Sequence, residues 1–265
     1  MIEGFLEEAA LPAFEGQLVG LIAPHAGYIY SGLTAAHAFK ALLGKQFARV
    51  ILLSPSHQPY RQPLLTTSHD AYSTPLGLVP VDREALARLN ELLKESNGVE
   101  LAAVRRDQEH SLEIELPFLQ VTQPNGFWLV PLMMVDQSAL MARLLSAALL
   151  KLIQSFPPKE NALLLASSDL SHFYSERAAN RLDGNLADAL QEFDLNAFYQ
   201  RKQHGEMEAC GFAPMATVLQ TSRLLGAEQV TVADYRTSAA VTGDRSSVVG
   251  YLSAIISTGK ADLYA

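Results

Sequence analysis

Short apolar runs alternate with helical patterns along the whole chain. The apolar runs have the length and composition of buried strands, and they cover residues 18–23, 50–53, 127–135, 162–166, 230–233 and 247–256. Apolar residues recur at helical spacing between these runs, in residues 83–94, 138–154, 176–192, 194–204 and 214–225. This alternation predicts an α/β fold, with a mostly parallel sheet flanked by helices on both faces.

The first crossover between strands is the clearest unit. Ser31 is expected to cap a helix that stops at Gly44, after which residues 49–53 return as a strand. Residues 62–81 contain several prolines and a glycine, and they predict a loop or an irregular hairpin. Because no repeat or linker divides the chain, we expect a single domain over residues 1–265.

Composition narrows the classes of partner and the compartment. The net charge is −8, and the basic residues are scattered, so we expect no nucleic-acid partner. The start of the chain lacks the pattern of a signal peptide, and the most apolar helical stretch contains Arg143 and Lys151, so we expect no membrane span. Cys210 is the only cysteine, which favours a reducing, cytoplasmic location.

Polar clusters directly follow three of the predicted strands. They read APHAGYIYSG at 23–32, SPSHQPY at 54–60 and SSDLSH at 167–172. The carboxyl ends of parallel strands lie along one edge of a sheet, and ligands bind in the crevice at that edge. The sequence therefore predicts that these three clusters meet in one site.

Two histidines occupy matching places in these clusters. His25 and His57 follow the two strands of the first crossover, which we expect to be neighbours, so their imidazoles could face one another across a cleft. Imidazole suits zinc, iron, copper and nickel. A single histidine after a strand more often fixes a loop by hydrogen bonding, and that alternative stays open for each residue taken alone.

Cys210 precedes the helix predicted from Pro214. A helix N-terminus lowers the pKa of a thiol and favours the thiolate, which is the form that binds metal. The alternative is a buried apolar cysteine, and the sequence pattern alone favours that alternative.

The longer motifs, taken together, resemble the Memo family. They are APHAGYIYSG, SPSHQPY, DQEHSLEIELPF, VPLMMV, SSDLSHF and EACGFAPM, in this order over nearly the whole chain. The resemblance implies a fold similar to that of class III extradiol (LigB-like) dioxygenases, and one bound transition-metal ion, Fe(II) first and copper next. The imidazole and thiol ligands would tolerate zinc as well. The resemblance also implies that bacterial and archaeal members work with a radical-SAM protein and a third small protein.

The resemblance also nominates site residues. It assigns the metal to His25, His57 and Cys210, and it places Asp169, His172 and His110 in or near the same cleft. His172 is expected to act as a general acid or base, because it follows a strand at the same sheet edge and histidine is a residue type suited to proton transfer near neutral pH. The carboxylate of Asp169 is expected to orient a metal-bound imidazole or, equally, to cap the backbone of its own turn. His110 belongs to the cleft or simply fixes a loop.

The chain departs from the dioxygenase pattern at its third ligand. Those enzymes use a carboxylate, whereas this chain offers the thiol of Cys210, and the histidine that some Memo members carry shortly afterwards is missing from residues 211–214. A metal-dependent oxidoreductase is therefore one hypothesis, and a noncatalytic module that binds metal or a partner is the second. A serine hydrolase using Ser54 or Ser56 ranks last, because no G-x-S-x-G elbow is present.

Overall fold

The computed structural model describes residues 1–106 and 108–259, so residues 260–265 of the predicted domain lie outside it. Within that part of the chain the strands are β1 (Leu18–Ala23), β2 (Arg49–Pro55), β3 (Leu64–Thr67), β4 (Ala71–Thr74), β5 (Gly77–Pro80), β6 (Ala102–Val104), β7 (Trp128–Met134), β8 (Ala162–Ser167), β9 (His172–Tyr174), β10 (Gln229–Thr237) and β11 (Val248–Ser257). The α-helices are α1 (Ile2–Glu8), α2 (Tyr28–Phe39), α3 (Arg83–Asn97), α4 (Leu116–Thr122), α5 (Ala139–Ser155), α6 (Glu176–Glu192), α7 (Leu195–Gln203), α8 (Phe212–Leu224) and α9 (Ala239–Thr242).

One large mixed sheet organises these elements. Its strand order is β10-β11-β1-β8-β2-β7-β3-β6, with β9 added beside β11, while β4 and β5 form a separate hairpin. The four central strands β1, β8, β2 and β7 run parallel to one another, while β1 pairs antiparallel with β11 and β7 pairs antiparallel with β3. The predicted α/β architecture is confirmed.

Helices cover both faces of the sheet, so the central strands are buried on two sides. In β2, Ile51 and Leu53 pack into the apolar cluster that also contains side chains of α3, α5 and α8. Val50 and Leu52 point the other way, into the cluster that contains side chains of α1, α2 and α4. This two-sided burial explains why β2 is continuously apolar, without the alternation of a half-exposed strand.

Two expectations about the first crossover are wrong. Helix α2 begins at Tyr28 with Gly27 before it, so Ser31 lies inside the helix, and its hydroxyl donates to the carbonyl of Ala26. The strands that precede His25 and His57 are not neighbours either, because β8 lies between β1 and β2. Strand β8 comes more than a hundred residues later in the chain, so the local pattern of the crossover could not reveal it.

The interrupted segment at residues 62–81 is partly regular. Residues 71–80 form the expected hairpin, whereas β3 joins the large sheet beside β7. Across residues 1–106 and 108–259, no helix combines the length and the apolar character that crossing a bilayer requires.

Candidate metal centre

The predicted triad meets at the carboxyl edge of the sheet. His25 follows β1, His57 follows β2, and Cys210 precedes α8. One ligand atom from each lies within 4.8 Å of the others, and Nε2 of His25 is 3.3 Å from Sγ of Cys210. Ligands at the usual bond lengths on a tetrahedral metal are roughly 3.4–3.5 Å apart. The spacing of the three side chains therefore fits a single transition-metal ion.

His25 is held as a neutral imidazole. Its ring is buried, with 2 % of the residue exposed, and its Nδ1 lies 2.8 Å from Oγ of Ser167. Burial, with smaller contributions from His57 and His110, lowers the pKa of His25 to about 4, although the charges of Asp169 and Glu109 act in the opposite direction. The neutral ring is the form that binds metal.

His57 is oriented by a carboxylate that the sequence did not reveal, that of Glu109. Nδ1 of His57 lies 3.0 Å from Oε1 of Glu109, whose side chain is only 1 % exposed. This hydrogen bond raises the pKa of His57 against the effect of burial. Burial opposes ionisation of Glu109, but hydrogen bonds from His57 and Ser111 hold its pKa well below the ordinary value. A carboxylate that is hydrogen-bonded to Nδ1 leaves Nε2 of His57 available to a metal.

A second group of possible ligands, His57, Glu109 and His110, lies at the same edge. The carboxylate of Glu109 already accepts hydrogen bonds from the backbone N–H groups of His57, His110 and Ser111 and from the ring of His57. A metal at Glu109 would have to displace these donors. Glu109 is better explained as the residue that orients His57 than as a ligand.

The structure brings His110 into the cleft, as the resemblance implied. Its ring stacks on that of His57, with centroids 5.6 Å apart, and lies 6.0 Å from the ring of His25. The side chain of His110 is 62 % exposed. Three imidazoles therefore converge, and that of His110 is the one most open to solvent.

Cys210 is a protonated thiol in the absence of metal. Burial and the charge of Asp169 raise its pKa to about 12. The predicted lowering by a helix N-terminus is wrong, because α8 begins only at Phe212 and its effect does not outweigh burial. Sγ instead accepts a hydrogen bond from the backbone N–H of Asp169 at 3.3 Å. A metal would displace the thiol proton.

Asp169 connects the loops that carry His25 and Cys210. Its Oδ1 accepts hydrogen bonds from the backbone N–H groups of His25 at 2.9 Å and Ala26 at 3.2 Å. The expectation that its carboxylate orients an imidazole is wrong, because the acceptor at the ring of His25 is Ser167. Asp169 does bind backbone, as the alternative proposed, but in the loop after β1 instead of its own turn.

His172 lies apart from the contacts of the triad. It forms part of β9, and its Nδ1 lies 2.8 Å from the carbonyl oxygen of Leu170. The centroid of its ring is 5.7 Å from the centroid of the Phe173 ring. The predicted role of His172 as a general acid or base stays a prediction.

Comparison with known proteins identifies the family of this chain. The sequence model of the family described as "Memo-like protein" matches residues 1–255. A "MEMO1 family protein" from Nitrosopumilus maritimus (strain SCM1) is 36% identical over 234 residues, which is 88% of this chain and 82% of the relative. A "MEMO1 family protein" from Thermotoga neapolitana is 36% identical over 241 residues, covering 90% of this chain and 83% of the relative. With a family match of this extent and relatives that align over nine-tenths of the sequence, the chain belongs to the Memo-like protein family.

Proposed function

We propose that this protein binds one transition-metal ion through His25, His57 and Cys210. The observation that carries the proposal is the meeting of these three donors, with Nε2 of His25 3.3 Å from Sγ of Cys210. The donors come from three separate places in the sequence. Each histidine is held by a hydrogen bond at Nδ1, which leaves its Nε2 free for a metal, and Sγ of Cys210 is held by a hydrogen bond from the backbone N–H of Asp169.

The donor set restricts the choice of metal. Two imidazoles and one thiolate suit iron, copper or zinc and do not suit the hard cations Mg²⁺ and Ca²⁺. We propose Fe(II), the metal that the family resemblance favours, with copper and zinc as the competitors. An ion with three protein ligands keeps an open position, at which it supplies Lewis acidity and, for iron or copper, electron transfer.

The surrounding residues support a metal-dependent oxidoreductase. His110 is exposed at the rim of the site and packs against the rings of His25 and His57, so it is placed to hold or deliver a proton beside the open position. Glu109 keeps a proton on Nδ1 of His57. Asp169 holds the loop of His25 in place. In this proposal His110 is the first candidate for the acid or base, and His172 is the second.

Metal analysis tests the proposed centre. The protein would be purified anaerobically without chelator, and its iron, copper and zinc content per chain would be measured beside His25→Ala and Cys210→Ser. His69→Ala is the control, because the ring of His69 hydrogen-bonds the carbonyl of Arg105 and is not part of the triad. About one metal ion per wild-type and control chain, lost from both triad variants, is expected. Metal-free wild type that takes up none on reconstitution would refute the centre.

A second measurement separates catalysis from storage or delivery. His110→Gln is expected to keep its metal and to lose most oxygen-dependent turnover, since general acid–base catalysis contributes roughly 10²–10⁴-fold. A noncatalytic module that binds metal or a partner would tolerate the same change. The proposed cytoplasmic location rests on the lone thiol of Cys210, and the proposed radical-SAM and third small companion proteins rest on the family resemblance. Co-purification of the tagged protein tests these companions.

A further inference from the structure

The hydroxyl of Ser167 has three partners at the back of the metal centre. Ser167 is the last residue of β8 and is fully buried. Its Oγ lies 2.8 Å from Nδ1 of His25, 2.5 Å from the carbonyl oxygen of Ser111 and 3.0 Å from Oε1 of Glu115. This arrangement lies behind His25, on the side away from Cys210.

Counting protons assigns a direction to each of these contacts. A hydroxyl carries one proton and two acceptor lone pairs, and a carbonyl can only accept. The 2.5 Å contact with the carbonyl of Ser111 therefore uses the only proton of Ser167. The other two partners must donate, which places a proton on Nδ1 of His25 and a proton on the carboxyl of Glu115.

The surroundings of Glu115 are those of a neutral carboxylic acid. The residue is 1 % exposed and lies in the short turn Glu113–Glu115 that precedes α4. Burial raises the pKa of Glu115 well above the ordinary value, and the charge of Asp169 raises it further. Across the described residues, no lysine, arginine or histidine forms an ion pair with Glu115.

We propose that Ser167 and Glu115 are positioning residues that fix the tautomer of His25, with the proton on Nδ1 and the lone pair of Nε2 directed at Cys210. The proposal rests on the proposed metal site and deepens it, because it says how one ligand is kept ready. A neutral histidine that carried its proton on Nε2 could not bind a metal through that atom. A carboxylic acid suits this role, because an ionised carboxylate would compete with the carbonyl of Ser111 for the one proton of Ser167.

The test begins with metal-free protein, so it does not depend on the proposed function. Nitrogen-15 NMR of the histidine rings reports the tautomer of His25, and infrared spectroscopy reports the carbonyl stretch of a protonated carboxylic acid. Wild-type protein is expected to show the proton on Nδ1, together with an acid band near neutral pH that Glu115→Gln removes. Detection of the proton on Nε2, or no difference in the acid band, would overturn the proposal.

Ser167→Ala and Ser54→Ala form a matched pair. Ser54 follows Leu53 of β2, which pairs with Ala166 of β8. Ser54 is as buried as Ser167, and its hydroxyl has no hydrogen-bond partner among the described residues. Ser167→Ala removes the acceptor of Nδ1, so we expect the His25 proton to move to Nε2 and metal affinity to fall about 10–100-fold. Ser54→Ala is expected to leave both unchanged.

The outcomes separate the two proposals. An unchanged tautomer in folded Ser167→Ala would overturn the positioning role, even if the wild type binds metal. If Ser167→Ala does not fold, the wild-type tautomer and the acid band decide the question. Wild-type protein with the expected tautomer and no affinity for iron, copper or zinc would refute the metal site and leave the hydrogen-bond assignment standing.

Discussion

A single methyl group added at Gly211 should damage the proposed metal site. Gly211 lies between Cys210 and the first residue of α8, and its φ of −99° is open to any residue, so only space matters. An added Cβ would lie 2.4 Å from the carbonyl oxygen of Ser167 and 2.7 Å from Cβ of Ser168. The first contact is with the backbone of the last residue of β8 and the second with a Cβ held by the backbone of the next residue, so neither atom can move away as the end of a flexible side chain would.

The required shift is large compared with the tolerance of a metal site. Cβ atoms essentially never come closer than 3.0 Å to another heavy atom, so the backbone at Gly211 must move by about 0.6 Å to reach even that separation. Metal–ligand distances tolerate about 0.2 Å. Since Cys210 is the preceding residue, we expect Gly211→Ala to weaken metal binding by at least about tenfold. Overpacking should lower the free energy of unfolding by about 1–3 kcal/mol.

The assay is competition for the metal with a chromophoric chelator, together with urea denaturation of metal-free protein. Gly184→Ala is the control, because Gly184 lies inside α6 and its Cβ would meet nothing within 4 Å. That variant should keep wild-type affinity and gain about 0.5–1 kcal/mol of stability. Wild-type metal affinity in folded Gly211→Ala would refute the argument that this close approach positions Cys210.

Three further changes test the groups around the triad. Glu109→Gln should weaken metal binding about 10–100-fold, because the ring of His57 loses its anionic partner. Calorimetric titration with metal measures the affinity, and an unchanged affinity would contradict the orienting role of Glu109. Metal affinity should rise with pH, because the metal must displace a proton from His57, whose pKa is raised, and from Cys210, whose pKa is raised to about 12. Equal dissociation constants for the metal at about pH 6 and about pH 8 would show that these protons do not compete with it. Asp169→Asn should lower the free energy of unfolding, measured by urea denaturation, by about 1–3 kcal/mol, because the backbone N–H of His25 loses its charged acceptor. A change below about 0.5 kcal/mol would contradict the role of Asp169 in holding this loop.

The longer strands and helices were predictable because burial leaves a clear pattern, whereas the short elements α1, α4, β3, β6 and β9 were not predicted. Strand β1 and helix α6 have the bounds that the sequence predicted, and the other main strands and helices differ by a few residues at their ends. The order of the strands was not predictable. Pairing of β8 between β1 and β2 depends on contacts between distant segments, and no local period encodes such contacts.

In the candidate site, the positions of the possible ligands were predictable, whereas the carboxyl groups that hold them were not. His25 and His57 follow strands, so topology alone placed them at one edge, and the family resemblance added Cys210. Glu109 and Glu115 were missed because each partner is 52 residues away, at His57 and Ser167 respectively. Glu115 did leave a signal in the sequence. It lies between Ile114 and Leu116 in an apolar run, where a carboxyl group is buried and must be paired or neutral.

The charges around the triad suggest why a buried site can exchange protons for a metal. The pairing of His57 with Glu109 favours a protonated ring, and burial keeps Cys210 as a thiol. A divalent ion that displaced one proton from each would leave the net charge of the site unchanged. Burying an uncompensated charge costs several kcal/mol, so an exchange without net charge avoids the main penalty of placing a metal at a largely buried edge. The neutral His25 completes this balance, because it donates a lone pair without a proton to lose.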